Sequence, residues 1–223
     1  NPNTGWFEVW NPTDQPLWLE WTFSPGITQF PDFAFGHYLV ATFAQGGDPE
    51  LLKQETAKAA ELAQKASEGE REYIESVFQV RANEIDKAVP RLAALAEKYP
   101  DERMVHMMLG QAYMNQGNLD GARKHFERAI ALNPSLPRVY AFIGNVELLR
   151  DNYSKSREYF SKAETMSPKG AIPFGAVFGT VYSYVYEGNY DAAITRLTAF
   201  REEYDKNGGP AQFPEVFIWN AMA

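Results

Sequence analysis

A period of 34 residues constrains this chain more than any other feature. Pro100, Pro134 and Pro168 are spaced by that step. The same step joins Leu92 to Phe126 and Phe160, Leu95 to Ala129 and Ala163, and Ala88 to Ala122 and Ser156. It also joins Leu109 to Ile143, Gly110 to Gly144 and Asn118 to Asn152. Recurrence at apolar, small and turn positions together marks a row of like supersecondary units. Each unit reads as two antiparallel helices. A small residue such as Gly110 or Gly144 permits close helix approach, and Gly117-Asn118 makes the tight turn. Ala122, Phe126 and Ala129 line the inner side of the second helix, which Asn133-Pro134 stops. Neither helix of such a pair buries its apolar face alone, so the units must stack.

Upstream of the period the pattern is helical from Asp32 onward. A mainly apolar helix is expected over Phe33 to Ala44, ended by Gln45-Gly46-Gly47. Asp48 then reads as an N-cap with Pro49 at the first helical position, opening a helix to about Ala66. Ser67-Glu68-Gly69-Glu70 is a capping-box pattern that opens a further helix to about Arg81.

The residues that carry the 34-residue spacing resemble those of the tetratricopeptide repeat (TPR) family. Leu109-Gly110, Tyr113, Gly117-Asn118, Ala122, Phe126, Ala129 and Pro134 make 101–134 the best match. Residues 135–168 follow with Ile143-Gly144, Asn152-Tyr153, Phe160, Ala163 and Pro168, departing at Ser156 and at Glu147, where the family has Tyr. A third unit, 169–204, keeps Phe178-Gly179, Tyr182, Gly188-Asn189-Tyr190, Ala193, Leu197 and Phe200. Its Gly188 falls three residues late, and the extra length is expected between Tyr182 and Glu187. Residues 67–100 form a degenerate unit with Ala88, Leu92, Leu95 and Pro100. The helix from Phe33 belongs to an earlier broken unit, with Pro49 to Ala66 inserted. The resemblance implies an all-α, TPR-type α-solenoid over 32–223 (degenerate helices 32–66, then the repeats, then the start of another helix at 211–223). Residues 50–100 more narrowly resemble bacterial, often exported TPR proteins, which implies a bacterial periplasmic or extracellular location and no reaction.

Residues 1–31 differ from everything after them. They hold Trp6, Trp10, Trp18 and Trp21 with Phe7, Phe23 and Phe30, five prolines, and no Lys or Arg. Proline at that density excludes regular helix and leaves short extended runs at 5–10 and 17–23. Three readings stand: a hydrophobic lid folded back on its own domain, a docking arm inserted into a partner or neighbouring copy, or the tail of a further domain upstream. The candidate docking residues are Trp6, Phe7, Trp10, Trp18, Trp21 and Phe23. The opening Asn1-Pro2-Asn3-Thr4 is neither an initiator Met nor a signal sequence, so a processed chain or part of a longer one is expected. At the other end Phe213 to Met222 starts an apolar helix in place of a polar cap. We therefore expect either a partner on that end or further chain.

Composition narrows the function classes. With 21 Lys and Arg against 29 Asp and Glu, the formal charge is −8, which argues against a nucleic-acid partner. No Cys is present, excluding disulfides, thiol nucleophiles and thiolate metal sites. No apolar run reaches the length of a membrane span. His37, His106 and His125 form no metal-binding pair, and no phosphate loop or nucleophile turn occurs. The carboxylates Glu68, Glu70, Glu72 and Glu75 read as a solvated helix face. No catalytic, metal or cofactor residue is assigned, and no cofactor is expected.

In the family, first helices line the concave side, which singles out His106, Asn115, Tyr140, Asn145, Tyr182 and Tyr186 as a candidate surface. Packing between helices is the other reading for the tyrosines. A carboxylate clamp for a peptide C-terminus needs Lys or Arg beside Asn; Asn145 fits, but the basic partners are missing. The expectation is a noncatalytic protein-interaction scaffold or assembly subunit whose partner is a protein, another subunit or another copy. A monomeric peptide-binding module and an accessory fragment of a larger enzyme are the alternatives.

Overall fold

The computed structural model describes residues 34–44, 49–167 and 174–206. They form ten helices: α1 (Ala34–Ala44), α2 (Pro49–Ala63), α3 (Glu68–Arg81), α4 (Ile85–Lys98), α5 (Arg103–Asn115), α6 (Leu119–Leu132), α7 (Pro137–Leu148), α8 (Tyr153–Met166), α9 (Phe174–Tyr186) and α10 (Tyr190–Lys206). The arm at 1–31 and the apolar stretch at 211–223 lie outside the described residues. The chain divides into two compact units, one up to Ala112 and one from Tyr113.

The helix starts follow the expected chemistry. Ser67 Oγ accepts from the Glu70 N–H at 3.3 Å, Asn118 Oδ1 from the Gly121 N–H at 2.9 Å, and Asn189 Oδ1 from the Ala192 N–H at 3.2 Å. Each satisfies a first-turn donor that has no partner within the helix. Pro137 occupies the first position of α7, where its missing N–H costs nothing.

One backbone feature recurs at every turn within a repeat. Asn83, Gly117, Asp151 and Gly188 all adopt left-handed φ, at 59°, 82°, 60° and 80°. They are spaced by 34, 34 and 37 residues. Counted from them, the fifth residue (Ala88, Ala122, Ser156, Ala193), the ninth (Leu92, Phe126, Phe160, Leu197) and the twelfth (Leu95, Ala129, Ala163, Phe200) are buried in every repeat. Ser156, a departure from the small apolar residue, tolerates burial because its hydroxyl donates to the Tyr153 carbonyl at 2.8 Å.

The extra three residues of the last repeat do not lie where the sequence suggested. The α9–α10 turn spans 187–189, the same length as the α5–α6 turn at 116–118. The α8–α9 connection instead spans 167–173, seven residues against four at 133–136. This shifts the register of α9. Tyr184, not Tyr182, stands at the position of Tyr113 and Glu147, four residues before the left-handed one.

In the unit up to Ala112, α1, α2 and α3 share a core of Ala34, Leu62, Ala63 and Ile74. His37 Nδ1 meets Glu55 Oε2 at 2.6 Å, and Tyr38 sits edge-on to Tyr73 and Phe78. A helix pair thus precedes the periodic part. The expected solvated carboxylate face of α3 is in large part a stitched seam. Arg91 of α4 pairs with Glu72 at 3.3 Å and with Glu75, and Lys98 with Glu68 at 2.5 Å. The Lys98 ammonium holds the Glu68 carboxyl below the usual range. Glu102, just ahead of α5, is a buried carboxyl whose Oε1 accepts from the Met104 N–H at 3.3 Å. Burial pushes its pKa up, and the Met104 hydrogen bond only partly opposes this.

In the unit from Tyr113, Phe160 of α8 is the central side chain, packed with Tyr140, Ala163 and Ala176. A Cβ on Gly144 of α7 would lie 2.6 Å from Phe160 Cε1, and one on Gly179 of α9 would overlap the same ring. Val181, Ala193 and Leu197 continue the core into α9 and α10.

Two outcomes follow. Asn83→Gly should raise stability and Gly117→Ala lower it, each by about 1 kcal/mol in urea unfolding, because a Cβ is strained at left-handed φ. Glu102→Gln should be more stable than wild type at neutral pH. A raised folded pKa means that the folded state binds the extra proton. Wild-type stability therefore falls as pH rises from the ordinary carboxyl range through the raised value. The advantage of the variant should vanish in melts run below that range.

Candidate functional site

Counted from the left-handed turn residue, the six candidate residues on first helices fall into three repeat positions. His106 and Tyr140 are equivalent, 34 residues apart. Both are buried, and both tie down the connection just before their helix. The His106 ring bonds the Pro100 carbonyl through Nε2 at 2.9 Å, and the Tyr140 hydroxyl donates to the Pro134 carbonyl at 3.2 Å. These two polar atoms thus close successive helix connections. Lys162 Nζ also lies 4.3 Å from the Tyr140 ring centroid. Asn145 and Tyr182 are equivalent and half-buried, while Asn115 and Tyr186 are equivalent and exposed. Leu149 occupies the same position between that last pair. Trp6, Phe7, Trp10, Trp18, Trp21 and Phe23 lie outside the described residues.

Between α6 and α7 runs a polar seam that the sequence marked only as an anomaly. Glu147 replaces the family Tyr and is 1% exposed. Its carboxylate is held by Arg123 of α6, by Asn152 Nδ2 at 2.9 Å and by Lys155 Nζ at 4.0 Å. Asn152 is the counterpart of Asn118 and Asn189, yet it makes no side-chain cap for α8, because its amide is committed to Glu147. Arg123 also donates to Glu127 at 2.8 Å. Burial works against the Arg123 charge, but the Glu127 hydrogen bond and the nearby charges outweigh it and hold its pKa above the ordinary value.

One repeat later the same position is Arg157. It pairs with Glu187 at 3.0 Å, reaches Ser183 Oγ at 3.3 Å, and covers the Tyr184 ring at 4.4 Å from its centroid. Both arginines therefore reach from a second helix to the first helix of the next repeat. The next equivalent residue is Ile194, half exposed on α10.

The exposed residues cluster at the turns. Tyr182 and Tyr186 stack at 6.3 Å with 22° between their planes, and Tyr190 follows directly after the turn. Tyr153, the counterpart of Tyr190, donates its hydroxyl to Asp151 Oδ1 at 2.9 Å. That bond, then desolvation, then the charges of Asp151 and Glu187 and the nearby Tyr186 raise the Tyr153 pKa. Leu149, Tyr153, Tyr190 and Ile194 were not among the sequence candidates. Their signal was present in the fixed offsets from the turn residue. Among the described residues, no group of His, Asp or Glu is placed to hold a metal ion, and no helix is long and apolar enough to cross a membrane.

The family model described as tetratricopeptide repeat matches residues 79–137 and 107–171. Residues 79–171 thus match the tetratricopeptide repeat family. Solved structures agree on the fold. A thermophilic TPR protein of Thermus thermophilus matches with a TM-score of 0.64 at 14% identity, covering 85% of this chain and 97% of that one. PilW, a widely conserved type IV pilus biogenesis factor, matches at 0.57 and 16%, covering 82% and 83%. MamA from Desulfovibrio magneticus RS-1 matches at 0.54 and 16%, covering 76% and 93%. The comparison with curated proteins finds no match. The fold class is thus all-α, of the TPR solenoid type.

The seam makes an asymmetric prediction. Arg123→Met removes the main cation from a fully buried carboxylate, leaving Asn152 and the more distant Lys155, and should lower unfolding stability by on the order of 3 kcal/mol. Glu147→Gln should lower it by clearly less, since Arg123 keeps Glu127 and the new amide still accepts hydrogen bonds. Chemical denaturation of both variants and of the double variant gives the coupling.

Proposed function

We propose that this chain is a noncatalytic scaffold or assembly subunit, in which helix repeats form a frame and exposed aromatic segments make the contacts. The observation that carries this reading is the pair of turns at 149–153 and 186–190. They present large hydrophobic side chains to solvent on a frame whose buried polar groups Glu147, Ser156 and Ser183 are tied down by named partners. A rigid support with a hydrophobic edge suits recognition, where a few well-held aromatic anchors supply most of the binding energy. The tetratricopeptide repeat match supports a role in protein association. The likeness to PilW, a pilus biogenesis factor, favours one in assembly. The arm at 1–31 is the second contact element in this reading. Burying its tryptophans contributes roughly 1.5–3 kcal/mol for each large side chain, which offsets part of the cost of ordering the segment.

Light scattering over a concentration series, on the chain with and without residues 1–31, tests the arm. Assembly of the intact chain and a folded monomer after truncation are the expected pair of results. Two monomers, with truncation lowering only the melting temperature, would make the arm an intramolecular lid and defeat self-assembly through it.

A further inference from the structure

The α7–α8 and α9–α10 turns are two copies of one turn, and both direct hydrophobic side chains outward. Leu149, Tyr186 and Tyr190 are 59%, 63% and 62% exposed, and Ile194 follows Tyr190 on the same face of α10 at 51%. The two turns adjoin. Glu187 of the second closes, with Asp151 to Lys155 of the first, a pocket of about 440 Å³. Several large hydrophobic side chains exposed at two adjoining turns, with a polar pocket between the turns, mark a candidate recognition surface.

The charges around the edge indicate what it takes. Arg123 is committed to Glu147 and Glu127, and Lys155, half exposed, lies 4.0 Å from Glu147. Arg157 is committed to Glu187, and Arg150 to Asp120. Among the described residues, that leaves two carboxylates of the edge without a cation: Asp151, which accepts from the neutral Tyr153 hydroxyl, and Asp191, exposed one residue after Tyr190. The unit already shows that its rings accept cationic side chains, as Arg157 over Tyr184 and Arg138 over Phe142. Tyr190, and the face of Tyr186 turned away from Tyr182, offer the same quadrupole to solvent beside Asp151 and Asp191.

We propose that this edge binds an arginine-bearing segment of a partner protein, with guanidinium groups on the faces of Tyr186 and Tyr190 and paired to Asp151 and Asp191. Arginine fits better than lysine because a planar, weakly hydrated cation stacks and pairs at once. The occupant is not the chain's own aromatic arm, or that of a second copy. Residues 1–31 carry Glu8, Asp14 and Glu20 and no basic residue, so they would add negative charge to negative. The proposal rests on the scaffold reading only in taking the partner to be a protein. Failure of the arm to drive self-association would leave it untouched.

The test titrates capped hexa-arginine into the full chain, followed by calorimetry and by NMR of the tyrosine rings. Saturable shifts of the Tyr186 and Tyr190 ring signals are expected. Affinity should fall about tenfold in the Tyr186→Ser, Tyr190→Ser double variant, and fall comparably in the Asp151→Asn, Asp191→Asn one. These are surface changes, and Asn fits the left-handed position at 151, so unchanged melting curves serve as the folding control. Hexa-lysine should bind more weakly and hexa-glutamate not at all. The proposal is overturned by no binding of hexa-arginine, by equal binding of the aromatic variant, or by shifts confined to other acidic surfaces. A peptide of residues 1–31 that occupies the same rings as tightly would equally overturn it.

Discussion

Much of the unit from Tyr113 depends on one ring having no side chain in its way. Phe160 reaches from α8 to the backbone of both flanking first helices, because Gly144 and Gly179 place no carbon where its edge lies. Full burial of such a ring contributes roughly 1.5–3 kcal/mol, and a cavity in its place would cost about 3–5 kcal/mol. The ion pairs along the surface contribute far less, about 0–1 kcal/mol where exposed. The ring therefore fixes how α7, α8 and α9 approach, and the arginine pairs adjust an arrangement already decided. Because both outward-facing turns are the ends of those helices, their adjacency follows from the same contact.

The period was legible because burial selects residue type at fixed offsets, and those offsets survive even in the degenerate unit led by Asn83. What misled was local mimicry. Phe178-Gly179 with Tyr182 imitates the family spacing, whereas the structure puts three extra residues before α9 and brings Tyr184 to that position under Arg157. Glu147 was legible as a departure, but its compensation was not. Arg123 lies 24 residues away, and Asn152 was legible only as the repeat equivalent of Asn118, not as a partner of the carboxylate. His106 was offered as surface from its helix alone, and Tyr140 as surface or as packing between helices. A hydrogen bond to a carbonyl six residues back leaves no periodic trace and shows only in three dimensions.

Several side chains around these turns reverse the usual partition of polar and apolar groups. A glutamate, two serines and a threonine are buried, each with a named hydrogen-bond partner, while a leucine, an isoleucine and two tyrosines face water. Satisfied polar groups inside cost little and hold the backbone in one arrangement. Hydrophobic groups outside gain nothing within the chain, and their stabilisation is realised only on contact with something else.

The sixth residue after each left-handed turn is Val89, Arg123, Arg157 and Ile194 in succession, and the two arginines meet different partners. Arg123 needs a buried carboxylate ahead of it, while Arg157 needs a serine, a tyrosine ring and an exposed glutamate. Units of nearly equal length are therefore not interchangeable bricks. Swapping two of them, or duplicating one, would set an arginine against the wrong neighbour. The order of the repeats is written into their joints, and a chain built this way can lengthen only by inventing a new joint along with each new unit.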